Sequence, residues 1–246
     1  MHPKTLAILS VGIAAFGTVA GGLLVLVKPK WEDRYLKLSI SFGAGFMLAA
    51  AALAMIPASL SLTNRAPLFF LAGYLTIHFF EHTIAPHFHF GEETHREVMV
   101  NRFISYSSIF GLAIHTLFDG ISIGSGFLIS PSLGVLIFGA VVLHKLPEGF
   151  TISSIMLASG RSHKAAIGAS GILAVSTVLG ALLISLFKNS VHLSLPFSAG
   201  VTFYIAATDL VPIINESNKG LRNSFAFFTG ILAFYLSDLL LQNYLG

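Results

Sequence analysis

Along this chain, long apolar runs alternate with short polar breaks. A helix needs about 20 residues to cross about 30 Å of hydrocarbon. Runs near that length predict eight spans, at 5–27, 36–61, 67–85, 103–129, 132–158, 165–187, 194–215 and 222–245. The breaks are short except at 86–102, and nothing reads as a separate soluble domain, so 1–246 is expected to form one all-α membrane bundle of antiparallel neighbours. The first run follows Met1-His2-Pro3-Lys4 and is longer than a signal-peptide core. No small-residue cleavage pattern follows it, so it is expected to stay as a helix.

The polar residues inside the runs carry the chemistry. Span four holds His115-Thr116-Leu117-Phe118-Asp119-Gly120, and span five holds His144-Lys145-Leu146-Pro147-Glu148-Gly149, 29 positions later. A charge at a helix centre in the membrane costs roughly 2.5–3.5 kcal/mol by insertion scales, which makes each such residue a functional-site hypothesis. Histidine and acid four residues apart share one helix face, about 6 Å from each other. Both pairs fall near the bilayer midplane. If the two faces meet, His115, Asp119, His144 and Glu148 offer two nitrogens and two carboxylates to one cation. Zn²⁺ accepts such a set in tetrahedral geometry, and Fe²⁺, Mn²⁺ or Cd²⁺ suit related sets. Pairing of each histidine with its own helix's acid would be the plainer reading, but it leaves the repetition on two helices unexplained. Pro147 deprives the Leu143 carbonyl of its amide partner beside His144, a condition that membranes tolerate next to protein or a wet cavity. Gly120 and Gly149 leave room beside the acids for a close helix or for a ligand. Lys145 needs a carboxylate, which Asp119 or Glu148 can supply, and it can occupy the place of a second cation.

Further polar residues lie outside this centre. Span three ends in His78-Phe79-Phe80-Glu81-His82, and the following loop adds His87, His89 and His95 among three glutamates. A short His-rich tract reads as loose metal capture by composition, although a solvated loop with incidental histidines reads the same way. Span six offers hydroxyls at Ser170, Ser176 and Thr177, which either face the site or bond back to their own helix. Asp209 near the end of span seven and Asp238 in span eight lie on opposite sides of the centre, as stepping points on an ion path would, or reach water as helix-end residues. Glycines at 12, 17, 21, 22, 43 and 45 mark faces of spans one and two that suit close packing, and Pro57 can bend span two.

Composition agrees with the membrane reading. Hydrophobic residues make up 54% and charged ones 10%, with a mean hydropathy of +0.82, which excludes an ordinary soluble domain. Cysteine is absent, so thiolate metal sites and disulfides are excluded. The 14 Lys and Arg against 11 Asp and Glu sit mostly in loops and form no basic stripe for nucleic acid. With the N-terminus outside, ten of them (Lys28, Lys30, Arg34, Lys37, Arg96, Arg102, Arg161, Lys164, Lys219 and Arg222) fall on the cytoplasmic side. Three (Lys4, Arg65 and Lys188) fall outside. The positive-inside rule therefore predicts both termini outside.

The pattern His115-x-x-x-Asp119-Gly120 with His144-x-x-Pro147-Glu148-Gly149 resembles the signature of the ZIP (Zrt/Irt-like) divalent-metal transporters. The likeness extends over nearly the whole chain, including the His-bearing loop and the span-seven end Ala207-Thr208-Asp209-Leu210-Val211-Pro212. The resemblance implies spans one to three and six to eight related as an inverted repeat around spans four and five. It also implies transport of Zn²⁺ or a related cation into the cytoplasm across a plasma or inner membrane, no resident cofactor, and a possible homodimer. By position it makes His115, Asp119, His144 and Glu148 the metal ligands, sets Asp238 at the entrance, and sets Asp209 with Glu81 or His82 at the exit. Three residues depart from the family pattern. Asp119 stands where glutamate is usual, Thr116 where asparagine or serine is common, and Lys145 where some bacterial members carry an acid that helps hold a second metal. The rival from another class is an intramembrane zinc hydrolase, with Glu148 or Asp119 as its acid or base.

Overall fold

The computed structural model describes residues 3–27, 33–84, 102–212 and 220–245. The described residues form helices α1 (Pro3–Val27), α2 (Asp33–Ala49), α3 (Ile56–Leu62), α4 (Ala66–Phe79), α5 (Arg102–Ile129), α6 (Pro131–Ala158), α7 (His163–Leu186), α8 (Val191–Tyr204) and α9 (Gly220–Leu245). A π-helical turn at Ala50–Met55 joins α2 to α3, a second at Phe80–Ile84 extends α4, and a third at Ile205–Leu210 extends α8. Seven of these helical runs are long and apolar enough to cross a membrane. The run of α4, with fourteen α-helical residues followed by five π-helical ones, completes the eight. The chain is an all-helical integral membrane protein.

Local chemistry sets the helix ends. Ser130 and Ser162 sit in extended backbone ahead of α6 and α7, and their hydroxyls accept from the amides of Leu133 and Ala165, satisfying donors that the first turn leaves open. Gly160, with φ at +75°, turns the chain between those helices in a conformation that favours glycine. All three π turns end two residues ahead of a proline in the sequence, Pro57, Pro86 and Pro212. A helical proline clashes with the carbonyl four residues back. For Pro57 and Pro212 that carbonyl belongs to Leu53 and Thr208, inside the widened turn, which gives the ring room. Span two meets its proline with a π turn.

Helices α1, α5, α6 and α7 pack on one another, α2 packs on α9 and α4 on α8 with α2 and α8 joining these pairs, and the two groups meet chiefly through α5 with α8 and α2 with α6. Lipid supplies little drive for such packing, so close backbone approach matters. Four reciprocal glycine contacts provide it. A Cβ on Gly21 would strike the carbonyl of Leu146 and one on Gly149 that of Thr18, which locks α1 to α6. Gly120 and Gly180 lock α5 to α7, Gly45 and Gly230 lock α2 to α9, and Gly73 and Gly200 lock α4 to α8.

These contacts expose an internal symmetry. A shift of 159 positions carries Thr18 and Gly21 of α1 onto Thr177 and Gly180 of α7. A shift of 155 carries Gly45, Pro57 and the turn Ala50–Met55 onto Gly200, Pro212 and the turn Ile205–Leu210. A shift of 157 carries Gly73 of α4 onto Gly230 of α9, and 29 carries His115, Asp119 and Gly120 of α5 onto His144, Glu148 and Gly149 of α6. Each outer helix and its counterpart are five crossings apart and so run in opposite directions. Spans one to three and six to eight are thus inverted copies, with α5 and α6 exchanging roles at the centre.

Candidate metal centre

Helices α5 and α6 face each other through their histidine and carboxylate pairs. His115, Asp119, His144 and Glu148 are all buried, and one donor atom of each lies within 4.8 Å of every other. No other such group of three or more His, Asp or Glu comes together among the described residues. Asp119 is the hub. Its Oδ2 lies 3.3 Å from Nε2 of His115, 3.3 Å from Nε2 of His144 and 2.7 Å from Nζ of Lys145. The two imidazole rings are 5.6 Å apart between centroids.

The hydrogen bonds orient these donors. His144 Nδ1 lies 3.0 Å from the carbonyl of Ala140. A carbonyl only accepts, so Nδ1 donates to it, and Nε2, 3.3 Å from Asp119 Oδ2, is the ring nitrogen turned into the cluster. A partner on the far ring nitrogen is the usual way a metal-binding imidazole is held. Lys145 Nζ also donates to Glu148 Oε2 at 2.8 Å, so one ammonium ties both carboxylates. Sequence reading asks for either acid as its partner, and the fold supplies both. Each acid keeps a second oxygen, and Glu148 Oε1 is buried with no hydrogen-bond partner among the described residues. An unpartnered buried oxygen is rare and calls for a water or an ion.

The glycines beside the acids serve helix packing and not a ligand, since Gly120 lies against Thr177 and Ala181, and Gly149 against Thr18 and Gly22. Gly17 lets α1 close over the Lys145 stem, where an added Cβ would lie 3.4 Å from Lys145 Cβ. Opposite Pro147, the orphaned Leu143 carbonyl faces Gly43, whose missing Cβ would stand 3.7 Å from the oxygen. Only an alignment of helices could pair these positions, so sequence reading passes over their partners.

The remaining candidates lie apart from the cluster. Thr116 donates to the Ala113 carbonyl at 3.1 Å. Ser170 and Thr177 bond back to Ile167 and Leu173, and no bond of Ser176 bears on the site. His78 and His82 stack at 4.2 Å between centroids. His82 Nδ1 lies 2.9 Å from the His78 carbonyl, and Tyr204 Oη lies 3.5 Å from His78 Nδ1. Glu81 is half-buried in the same turn, so this group does not form a second cluster with the first. Asp238 accepts from Gln242 at 2.9 Å on its own helix. The shift of 157 relates Glu81 to Asp238, placing these two carboxylates toward opposite membrane faces. His87, His89 and His95 lie outside the described residues, as does the side chain of Asp209.

A polytopic helical membrane protein with a metal-type donor set between two central helices is the class these features define. A model of the ZIP zinc transporter family matches residues 89–238, and the chain belongs to that family. It is 31% identical over 137 residues to the zinc transporter zipt-7.2 of Caenorhabditis elegans, covering 50% of this chain and 29% of that protein. It is 27% identical over 216 residues to the zinc transporter YKE4 of Saccharomyces cerevisiae, covering 74% of this chain and 62% of that protein. Against the zinc transporter ZupT of Shigella dysenteriae the identity is 26% over 250 residues, covering 94% of this chain and 95% of that protein. The chain therefore spans less than two thirds of the two eukaryotic relatives and nearly all of the bacterial one.

Proposed function

We propose that this chain carries Zn²⁺, or a related divalent cation, into the cytoplasm through the centre formed by His115, Asp119, His144 and Glu148. The observation that carries the reading is the convergence of these four buried donors within 4.8 Å from two repeat-related helices. Family membership and the names of the relatives support transport and zinc. Fe²⁺, Mn²⁺ and Cd²⁺ are the competitors that the donor chemistry admits. The metal is cargo, and no resident cofactor belongs to the reading. Both termini outside, one polytopic unit over 1–246, a plasma or inner membrane and a homodimer complete it. Asp238 and Asp209, with Glu81 and His82, are proposed as the entrance and exit, and His78, His87, His89 and His95 as loose capture near the exit. Opposed gates around a midplane site are what an inverted repeat provides for alternating access.

Lys145 sets how firmly the ion is held. Asp119, Glu148 and Lys145 together carry one net negative charge, which a divalent cation overcompensates. The ammonium therefore weakens retention while it steadies both carboxylates, and it takes the place of a second cation. Lys145→Gln is expected to tighten Zn²⁺ binding at least about tenfold and to raise the stoichiometry from one ion to two, read by calorimetry. At an effective dielectric of 20, two unit charges 4 Å apart interact by about 4 kcal/mol, enough for such a change after the loss of two hydrogen bonds. Unchanged affinity and stoichiometry would remove Lys145 from this role. Protons compete for imidazole and carboxylate ligands. Zn²⁺ binding to the native chain is accordingly expected to weaken as pH falls and to release protons as it occurs, and affinity flat between about pH 5 and 8 would count against histidine ligation.

Uptake of radioactive Zn²⁺ into liposomes containing the purified protein tests transport itself. Saturable uptake above empty liposomes, with Fe²⁺, Mn²⁺ and Cd²⁺ ranked by competition, is the expected result. Tightly bound zinc without uptake would favour the hydrolase.

A further inference from the structure

A groove between α1, α5 and α7 lies away from the metal centre, at the membrane face where α1 begins and α7 ends. It encloses about 580 Å³, within the range of about 300–1,000 Å³ typical of small-molecule sites. Val11 and Gly12 of α1, Phe127 of α5, and Val178 and Leu182 of α7 form apolar walls. Polar groups gather at one end only, where Lys4, Ser185 and Lys188 stand. Lys4 and Lys188 are both exposed, and no acid lines the groove among the described residues, so this end is basic where the central site is acidic.

The internal symmetry shows that the architecture does not force this space. The repeat carries Val11, Gly124 and Ala181 of the groove onto Ser170, Ser153 and Gly22 at the opposite membrane face. There the helices are closed, since a Cβ on Gly22 would strike both serine side chains. In the groove α5 and α7 remain in contact at Gly124, while α1 stands off from them, and a Cβ on Gly12 would meet nothing within 4 Å.

We infer that this groove binds one anionic phospholipid, with an acyl chain along the apolar walls and the phosphate between Lys4 and Lys188. The chemistry is complementary at both ends. Apolar walls lie at hydrocarbon depth, and two ammoniums lie at head-group depth, where basic pockets between spans hold anionic head groups. A lipid so placed bridges α1, which is locked to α6, and the α5–α7 pair, and thus touches both sides of the central site.

Native mass spectrometry of the purified full chain, mixed with palmitoyl-oleoyl phosphatidylglycerol or phosphatidylcholine, tests the site. The anionic lipid is expected to be retained about tenfold better than the zwitterionic one. Lys4→Ser with Lys188→Ser should reduce it to the phosphatidylcholine level. Gly12→Leu, which fills open space without meeting backbone, should displace it, while Zn²⁺ binding at the centre stays native in both variants as a check on folding. Equal retention of the two lipids by the native chain, or a preference that survives both variants, would overturn the inference. So would displacement of the phospholipid by equimolar oleate, which would make a free fatty acid the occupant.

Discussion

Asp119→Ala is expected to abolish Zn²⁺ uptake, to at most about one hundredth of the native rate, and to lower the thermal unfolding temperature as well. One oxygen of this carboxylate meets His115, His144 and Lys145, so its loss removes a proposed ligand and strips a fully buried ammonium of one of its two anionic partners. Breaking a buried ion pair by deleting one member costs about 3–5 kcal/mol. Glu148 still holds Lys145 at 2.8 Å, so the stability loss should fall toward the lower end of that range. The two effects separate in Asp119→Asn, which keeps the shape and an acceptor for Lys145. That variant should recover most of the stability and little of the uptake. Uptake by a folded Asp119→Ala protein within a few-fold of native would contradict the role given to the hub.

Gly149→Ala should have an effect of similar size with no ligand removed. The added methyl would fall on the carbonyl of Thr18 across the α1–α6 contact. Backbone does not move aside as a side chain does, so the helices must separate. Overpacking of this kind costs about 1–3 kcal/mol. The displaced segment carries Glu148, the neighbouring residue, and a misplacement near 1 Å is enough to cost about a hundredfold in a positioned site. Uptake should fall at least tenfold while equilibrium Zn²⁺ affinity changes less. Gly21→Ala, the reciprocal change on α1, should reproduce both effects, whereas Gly168→Ala, which meets nothing within 4 Å, should be neutral. Native uptake in Gly149→Ala would show that the α1–α6 approach does not position the site.

Why some of this architecture is legible in sequence and some is not follows from the physics of each element. Hydrophobic length marks the spans because lipid admits few alternatives to a closed helix, so the ends of α5 and α6 fall within a residue or two of the apolar runs. The π turns are silent, because hydropathy does not distinguish bonding to the fourth residue from bonding to the fifth. Pro57, Pro86 and Pro212 give the only hint, and proline alone equally suits a kink. At the centre, His115 with Asp119 and His144 with Glu148 stand out because an ionisable pair in hydrocarbon is costly and a repeated pair more so. The choice of Lys145 between two acids, and of Gly120 and Gly149 between helix and ligand, depends on which neighbours arrive, and only tertiary packing decides that. The inverted repeat is hidden for a related reason: its copies share small residues, prolines and acids at contact points, while the lipid-facing positions between them vary freely among apolar residues.

X-ray absorption at the zinc edge of the loaded protein, run beside the His144→Ala/Glu148→Ala variant, tests the central claim most directly. The account predicts one zinc per native chain with two imidazole nitrogens and two carboxylate oxygens near 2.0–2.2 Å, and loss of that shell in the variant. A shell that persists unchanged in the variant, or one made only of water oxygens in the native protein, would contradict it.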